Sequence, residues 1–164
     1  MLPVFLVAQN DFDKLYKKYA GKDGVTSINI SPEMFSFLGA IDMSDSSEDA
    51  KEAQYAMQQL SGLKMLVFEN GEKKNLENFY KEIKKSIDID SYSELMSVND
   101  NESDVKFLAK KTAEGRVSEL LMIVKGDDDV VVMSMLGDMD MKTISGIGKS
   151  LDMKGMENLE KIDE

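Results

Sequence analysis

The chain contains no histidine, no cysteine and no tryptophan. Each absence removes chemistry. Without imidazole or thiol there is no disulfide, no thiolate nucleophile and no His-based triad, and most zinc, copper and iron sites lose their ligands. Zero cysteine suits a reducing compartment, and equally an exported protein whose core is large enough to need no bridge. A basic stripe is also missing: 31 acidic residues outnumber 20 basic ones, for a formal charge of −11. Such a surface repels phosphate backbones and anionic lipid, which argues against nucleic-acid binding and against electrostatic membrane docking. No apolar run is long enough to cross a bilayer.

What is present suits one globular domain. Hydrophobic residues make up 42% and charged residues 31% of 164. A chain of this size buries roughly 68–70% of its unfolded surface, enough for a core without staples. Residues 1–8 are apolar, and the chain turns polar at Gln9 and Asn10. This stretch has no basic start, yet it has the shape of the end of an export signal, with the mature chain beginning near Gln9 or Asn10. The alternative is that Val4–Val7 form an edge strand or pack on the core. No cysteine lies near the junction, so a lipid anchor is excluded there. The expected organisation is a signal remnant over 1–9, one domain over 10–152 and a tail or short helix over 153–164.

Asn10 reads as a helix cap ahead of Phe12, Leu15, Tyr16 and Tyr19, with Gly21 closing the helix. Val25–Ile30 reads as a strand. Ser31-Pro32 reads as a cap with proline at the first helical position, opening a short helix that carries Met34, Phe35, Phe37, Leu38 and Ile41. Asp42–Glu48 is a Ser/Asp linker. The next helix has Ala50, Ala53, Met57 and Leu60 as its seam. Leu63–Phe68, apolar on both faces apart from Lys64, reads as an interior strand. Asn70-Gly71 turns the chain into a basic amphipathic helix with Leu76, Phe79, Tyr80, Ile83 and Ile87 inward. Four strands follow with short turns, about 92–98, 105–111, 117–125 and 130–137. A last helix spans about 140–151, and apolar spacing continues weakly through Met153, Met156, Leu159 and Ile162.

This order predicts an α+β fold. The first half gives strand–helix–strand crossovers, which favour parallel pairing, and the second half gives an antiparallel meander. The expected architecture is a two-layer sandwich: one mixed sheet with helices mainly on one face.

Several clusters invite chemical readings. Gly146-Ile-Gly148-Lys149-Ser150 ends like a phosphate loop, but Thr143 stands where that motif needs its first glycine, and the run falls inside the last helix. Small residues packing on the sheet explain it better. Asp127-Asp128-Asp129, Asn99–Asp104 and Asp138/Asp140 are rich in oxygen, but none has the spacing of a calcium loop, and turn and cap roles suffice for them. No carboxylate pair is singled out for glycoside hydrolysis. In the basic helix Glu72, Glu77 and Glu82 interleave with the lysines, which reads as a solvated ion-pair face. Thirteen methionines are unusual, and Met122, Met133, Met135, Met139 and Met141 crowd the last hairpin and helix. By alternation Val131, Met133 and Met135 share one strand face. In a two-layer sheet either that face or its opposite would stand free of helices, open to a partner or to self-association.

The run Phe12-Asp-Lys-Leu-Tyr-Lys-Lys-Tyr-Ala-Gly21, with Gly24-Val-Thr-Ser-Ile-Asn-Ile-Ser31-Pro-Glu-Met34-Phe35, resembles the start of the DUF4252 family. Ser118–Lys125 and Val130–Asp140 are similar to that family's closing hairpin and the start of its last helix. The likeness covers about Phe12 to Leu151. It implies a small exported domain of a kind found mostly in Bacteroidetes, behind a signal peptide that is incomplete here. It carries no catalytic signature.

The reading of function that follows is a non-catalytic binding or interaction domain of the cell envelope, periplasmic or secreted. It needs no cofactor and no metal, and its partner would be a protein or an apolar ligand. The candidate interaction face is Val131, Met133 and Met135. The alternatives are a hydrolase limited to carboxylate, Lys or Ser chemistry, and a self-associating structural protein of the envelope.

Overall fold

The computed structural model describes residues 10–41, 47–69 and 72–150. The signal remnant or edge strand over 1–9, most of the Ser/Asp linker, the Asn70-Gly71 turn and the tail from Leu151 lie outside the described residues. The elements are α1 (Asp11–Tyr19), β1 (Val25–Ile30), α2 (Pro32–Ala40), α3 (Glu48–Gln59), β2 (Leu60–Glu69), α4 (Lys73–Ser86), β3 (Ser93–Asn99), β4 (Asp104–Lys111), β5 (Val117–Lys125), β6 (Asp129–Met139) and α5 (Met141–Ser150). A 3₁₀ turn, Ile89–Ser91, links α4 to β3.

Local chemistry sets the helix starts. The Asp13 N–H donates to Asn10 Oδ1 at 2.8 Å, the Met34 N–H to Ser31 Oγ at 3.3 Å, and the Thr143 N–H to Asp140 Oδ1 at 2.8 Å. Each cap satisfies one donor that a helix start leaves open. Gly115 turns the chain between β4 and β5 at φ +80°, where a side chain would be strained. Gly137 is needed for space: a Cβ there would sit 2.2 Å from the Gln59 carbonyl oxygen.

The fold is α+β, with one six-stranded sheet in the order β1-β2-β6-β5-β4-β3. Every neighbouring pair is antiparallel, which corrects the expected mixed sheet. The reason lies in the number of helices in each connection. One helix carries the chain back along the sheet, so the next strand runs in the same direction. Between β1 and β2 there are two helices, α2 and α3, packed on each other. The second returns the chain to the end it left, and Ile30 pairs with Leu63. The single helix α4 obeys the simple rule: it joins β2 to β3, strands that run the same way on opposite sides of the sheet.

The two-layer expectation is also corrected, because helices cover both faces. On one face α1 and α4 pack Phe12, Leu15, Leu76, Phe79 and Ile83 on Leu66, Leu121, Ile123 and Val132. On the other, Ile144 of α5 packs with Phe107, Leu120, Met133, Met135 and Met139. α3 lies against α5. β2 sits between β1 and β6, as an apolar strand should. Its Lys64 escapes the core by pairing with Asp13 at 2.5 Å.

Candidate functional site

The expected interaction face lies on the α5 side of the sheet. Cross-strand register arranges this face in rows. Ile30, Leu63, Met135, Leu120 and Ala109 form one row, and Ile28, Met65, Met133, Met122, Phe107 and Met96 the next. A third row crosses all six strands as Thr26, Val67, Val131, Val124, Val105 and Val98. Five of its six side chains are valine, a residue that suits a pleated surface.

Burial falls away from row to row. Met135, Leu120 and Ala109 are buried, and so are Met133, Met122 and Phe107 in the middle of the second row. In the valine row nothing is buried: Val67, Val131, Val124 and Val105 are half-buried, while Thr26 and Val98 are exposed. Of the three residues expected to form an open face, the structure places Met133 and Met135 beneath cover and leaves Val131 on the open part. Among the described residues the less covered part of this face lies one row toward the turns, where Val67, Val105 and Val124 are half-buried beside Val131. Alternation within each strand carried the signal for this row; its register across six strands did not appear in the sequence.

Acids rim the open row. Beyond it lie Glu69, Asp100, Glu102, Asp127 and Asp128, all exposed. Lys106 and Lys125, next in sequence to the row, alternate onto the opposite face, where the Lys125 ammonium stands 5.8 Å from the Tyr80 ring centre. Among the described residues this end of the sheet face is therefore apolar in the middle and negative at its margin.

A second arrangement was not legible in the sequence. Glu119, on β5, is 3% exposed. Its Oε1 accepts from Ser134 Oγ at 2.7 Å and from Asn10 Nδ2 at 3.3 Å, and its Oε2 accepts from the Tyr92 hydroxyl at 3.0 Å. Lys110 Nζ stands 3.9 Å from Oε2 and 4.6 Å from the centre of the Tyr92 ring. Burial, then the charge and hydrogen bond of Glu119, push the Tyr92 phenol well up from its usual range. Beside this network, a cavity of about 140 Å³ is lined by Asn10, Asp13, Asn29, Lys64 and Ser134 among others. The signal in the sequence was an acid in the largely apolar Val117–Val124 stretch. The Ser134 hydroxyl is directed at the carboxylate and both groups are buried, so the network ties the cap of α1 and the residue before β3 to β5 and β6.

Other acidic positions serve caps, turns and ties between elements. Asp140 accepts from the Tyr55 hydroxyl at 2.5 Å and from Gln59 Nε2 at 3.2 Å, besides capping α5. Burial alone would raise its pKa, but these hydrogen bonds prevail and hold the carboxyl below its usual range. Asp100 Oδ1 accepts the N–H groups of Glu102 and Ser103, each at 2.8 Å. Glu82 accepts from Lys18 and Tyr19, tying α4 to α1. Burial and this carboxylate push the Tyr19 phenol up to about 12. Among the described residues no group of three or more acids is placed to hold a metal ion. No described helix is long and apolar enough to cross a membrane. The Gly146–Ser150 run is helical, within α5.

A family model, Domain of unknown function (DUF4252), matches residues 16–147. That span covers most of the chain, and the chain belongs to this family. No curated protein and no solved structure gives a significant match.

Proposed function

We propose that this DUF4252 chain is a non-catalytic binding domain of the cell envelope, working in the periplasm or outside the cell. It holds a protein partner on the valine row. The observation that carries the reading is that row: five valines in register across five strands, half-buried or exposed among the described residues, beside a buried core and rimmed by acids. Apolar surface that a domain leaves open is surface available for contact, and its acidic margin selects the charge of what docks. The partner is accordingly an amphipathic segment with an apolar face and basic flanks.

A synthetic amphipathic peptide of leucine and lysine, titrated into the full chain, tests this. The methyl signals of Val67, Val105, Val124 and Val131 should shift. Val131→Asp with Val124→Asp should weaken binding by tenfold or more, because a charge on the strip must be desolvated. Unchanged affinity in that variant, or shifts confined to other residues, would overturn the assignment. Self-association through the strip would show instead as valine shifts on concentrating the protein without peptide. Export has its own check: mass spectrometry of the natural protein from cell fractions should find a mature start near Gln9. An intact Met1 in the cytosol refutes export.

A further inference from the structure

We infer that β1 is a self-pairing edge: two copies of the chain join along Val25–Ile30, antiparallel about a two-fold axis at Ser27, into one continuous sheet. The sheet has two edges, β1 and β3. A bare edge invites another strand, and proteins blunt it with charge, proline or a bulge. β3 has two of these devices, Glu94 and a register break between Glu94 and Met96. β1 has none: Val-Thr-Ser-Ile-Asn-Ile carries no charge and no proline, and its register with β2 is unbroken. Among the described residues no strand pairs with its outer side.

The outward groups of β1 follow from the ladder. The Glu69 N–H donates to the Gly24 carbonyl at 3.2 Å, and hydrogen-bonded positions alternate along an antiparallel pair. Thr26, Ile28 and Ile30 therefore bond toward β2, and Val25, Ser27 and Asn29 present their backbone groups to the free side. The Val25 N–H is already given to the Lys22 carbonyl at 3.1 Å. Pairing about Ser27 uses what is left. Each Ser27 N–H meets the Ser27 carbonyl of the second copy, and each Asn29 N–H meets its Val25 carbonyl.

A second copy, unlike a lone peptide strand, also covers what flanks the edge. α2 packs on β2 and α3, and α3 on β6 and α5, so α2 is the outermost helix on that side of the sheet. Its Met34 and Phe37, with Ile41 just beyond, fall at i, i+3 and i+7 and form an exposed stripe. Phe37 is 65% exposed, the most of any large apolar side chain among the described residues. Ile28 is exposed on the same face. A two-fold axis at the edge sets stripe against stripe on one face, a self-complementary contact. Charge permits the approach. The chain carries −11, yet residues 24–41 hold a single charged residue, Glu33. Copies of an acidic protein repel least where they carry least charge.

Sedimentation equilibrium of the full chain at micromolar concentration should give twice the chain mass of 18.4 kDa. Ile28→Lys places a charge on the edge and should raise the dissociation constant tenfold or more while keeping the native circular dichroism. Val98→Lys, the same change on the β3 edge, should leave the dimer intact. Hydrogen exchange reads the edge without any variant: the Ser27 and Asn29 amides should be protected in the native chain and exchange faster on dilution. A single-chain mass throughout would overturn the inference. So would a dimer that persists in Ile28→Lys; its loss in Val124→Asp with Val131→Asp would place the contact on the valine row instead. Protected Ser27 and Asn29 amides in a single chain would mean that the chain covers its own edge, and would overturn the inference as well.

Discussion

The two faces of the sheet are packed with different side chains. On the α1/α4 face the contacts are made by Phe, Leu, Ile and Val, with Leu66, Ile83, Leu121, Ile123 and Val132 at 1% exposure or less. Its polar end is sealed by Glu119, whose carboxylate accepts from three elements. On the α5 face the centre is rich in methionine and the end is a row of mostly half-buried valines. Branched and aromatic side chains have few rotamers and pack to one arrangement, whereas methionine adapts to what lies on it.

Truncation should separate them. Phe79→Ala, on the closed face, removes a ring stacked 5.0 Å from Phe68 and should cost about 3–5 kcal/mol in urea unfolding. Glu119→Ala should cost a similar amount, about 3–5 kcal/mol, because it leaves buried donors and Lys110 without their acceptor. Tyr92→Phe should cost only about 1 kcal/mol, and its effect should not add to that of Glu119→Ala if the network acts as one unit. The sharpest comparison uses two adjacent residues. Val132→Ala on the closed face should lose about 2 kcal/mol, and Val131→Ala on the open strip under about 1 kcal/mol. Equal losses would mean the strip is as fully covered as the core.

The smallest expected effect is in alkali. The Tyr19 phenol is raised in the folded state, so folding favours its protonated form. That contribution is whole below the unfolded value of about 10 and is lost as pH rises toward about 12. Unfolding curves between neutral pH and about pH 11 should therefore show a smaller decline in Tyr19→Phe than in the native chain.

Much of this architecture was written in local signals. Val25–Ile30 is the strand its residues describe, and the caps at Asn10, Ser31 and Asp140 stand where cap chemistry places them. The four-strand meander follows from short turns between apolar runs. What local signals could not carry was the count of layers and the direction of β2. The first depends on α5 lying on the face opposite α1 and α4, the second on how α2 and α3 pack on each other, and both are tertiary facts. The α2 seam shows the same limit: Phe35 is buried, whereas Met34, Phe37 and Ile41 face outward, although all four are apolar. Ala53, read as part of the α3 seam, is exposed too. Glu119 escaped notice because a lone acid in a strand normally points to water, and only tertiary structure brings Tyr92, Ser134 and Asn10 to it.

The place of β6 has a consequence for how the chain folds. The last strand in sequence is a middle strand in space, seated between β2 and β5. The hairpins β3–β4, β4–β5 and β5–β6 close over short loops and are inexpensive in chain entropy, whereas pairing Leu66 with Val132 closes a long one. Until β6 is complete, β2 has only β1 beside it, and a two-stranded ribbon is marginal in water. The N-terminal half therefore waits for the C-terminal half. During synthesis the native sheet assembles only after the final hairpin has emerged, and its rate should be governed by the meeting of β2 and β6.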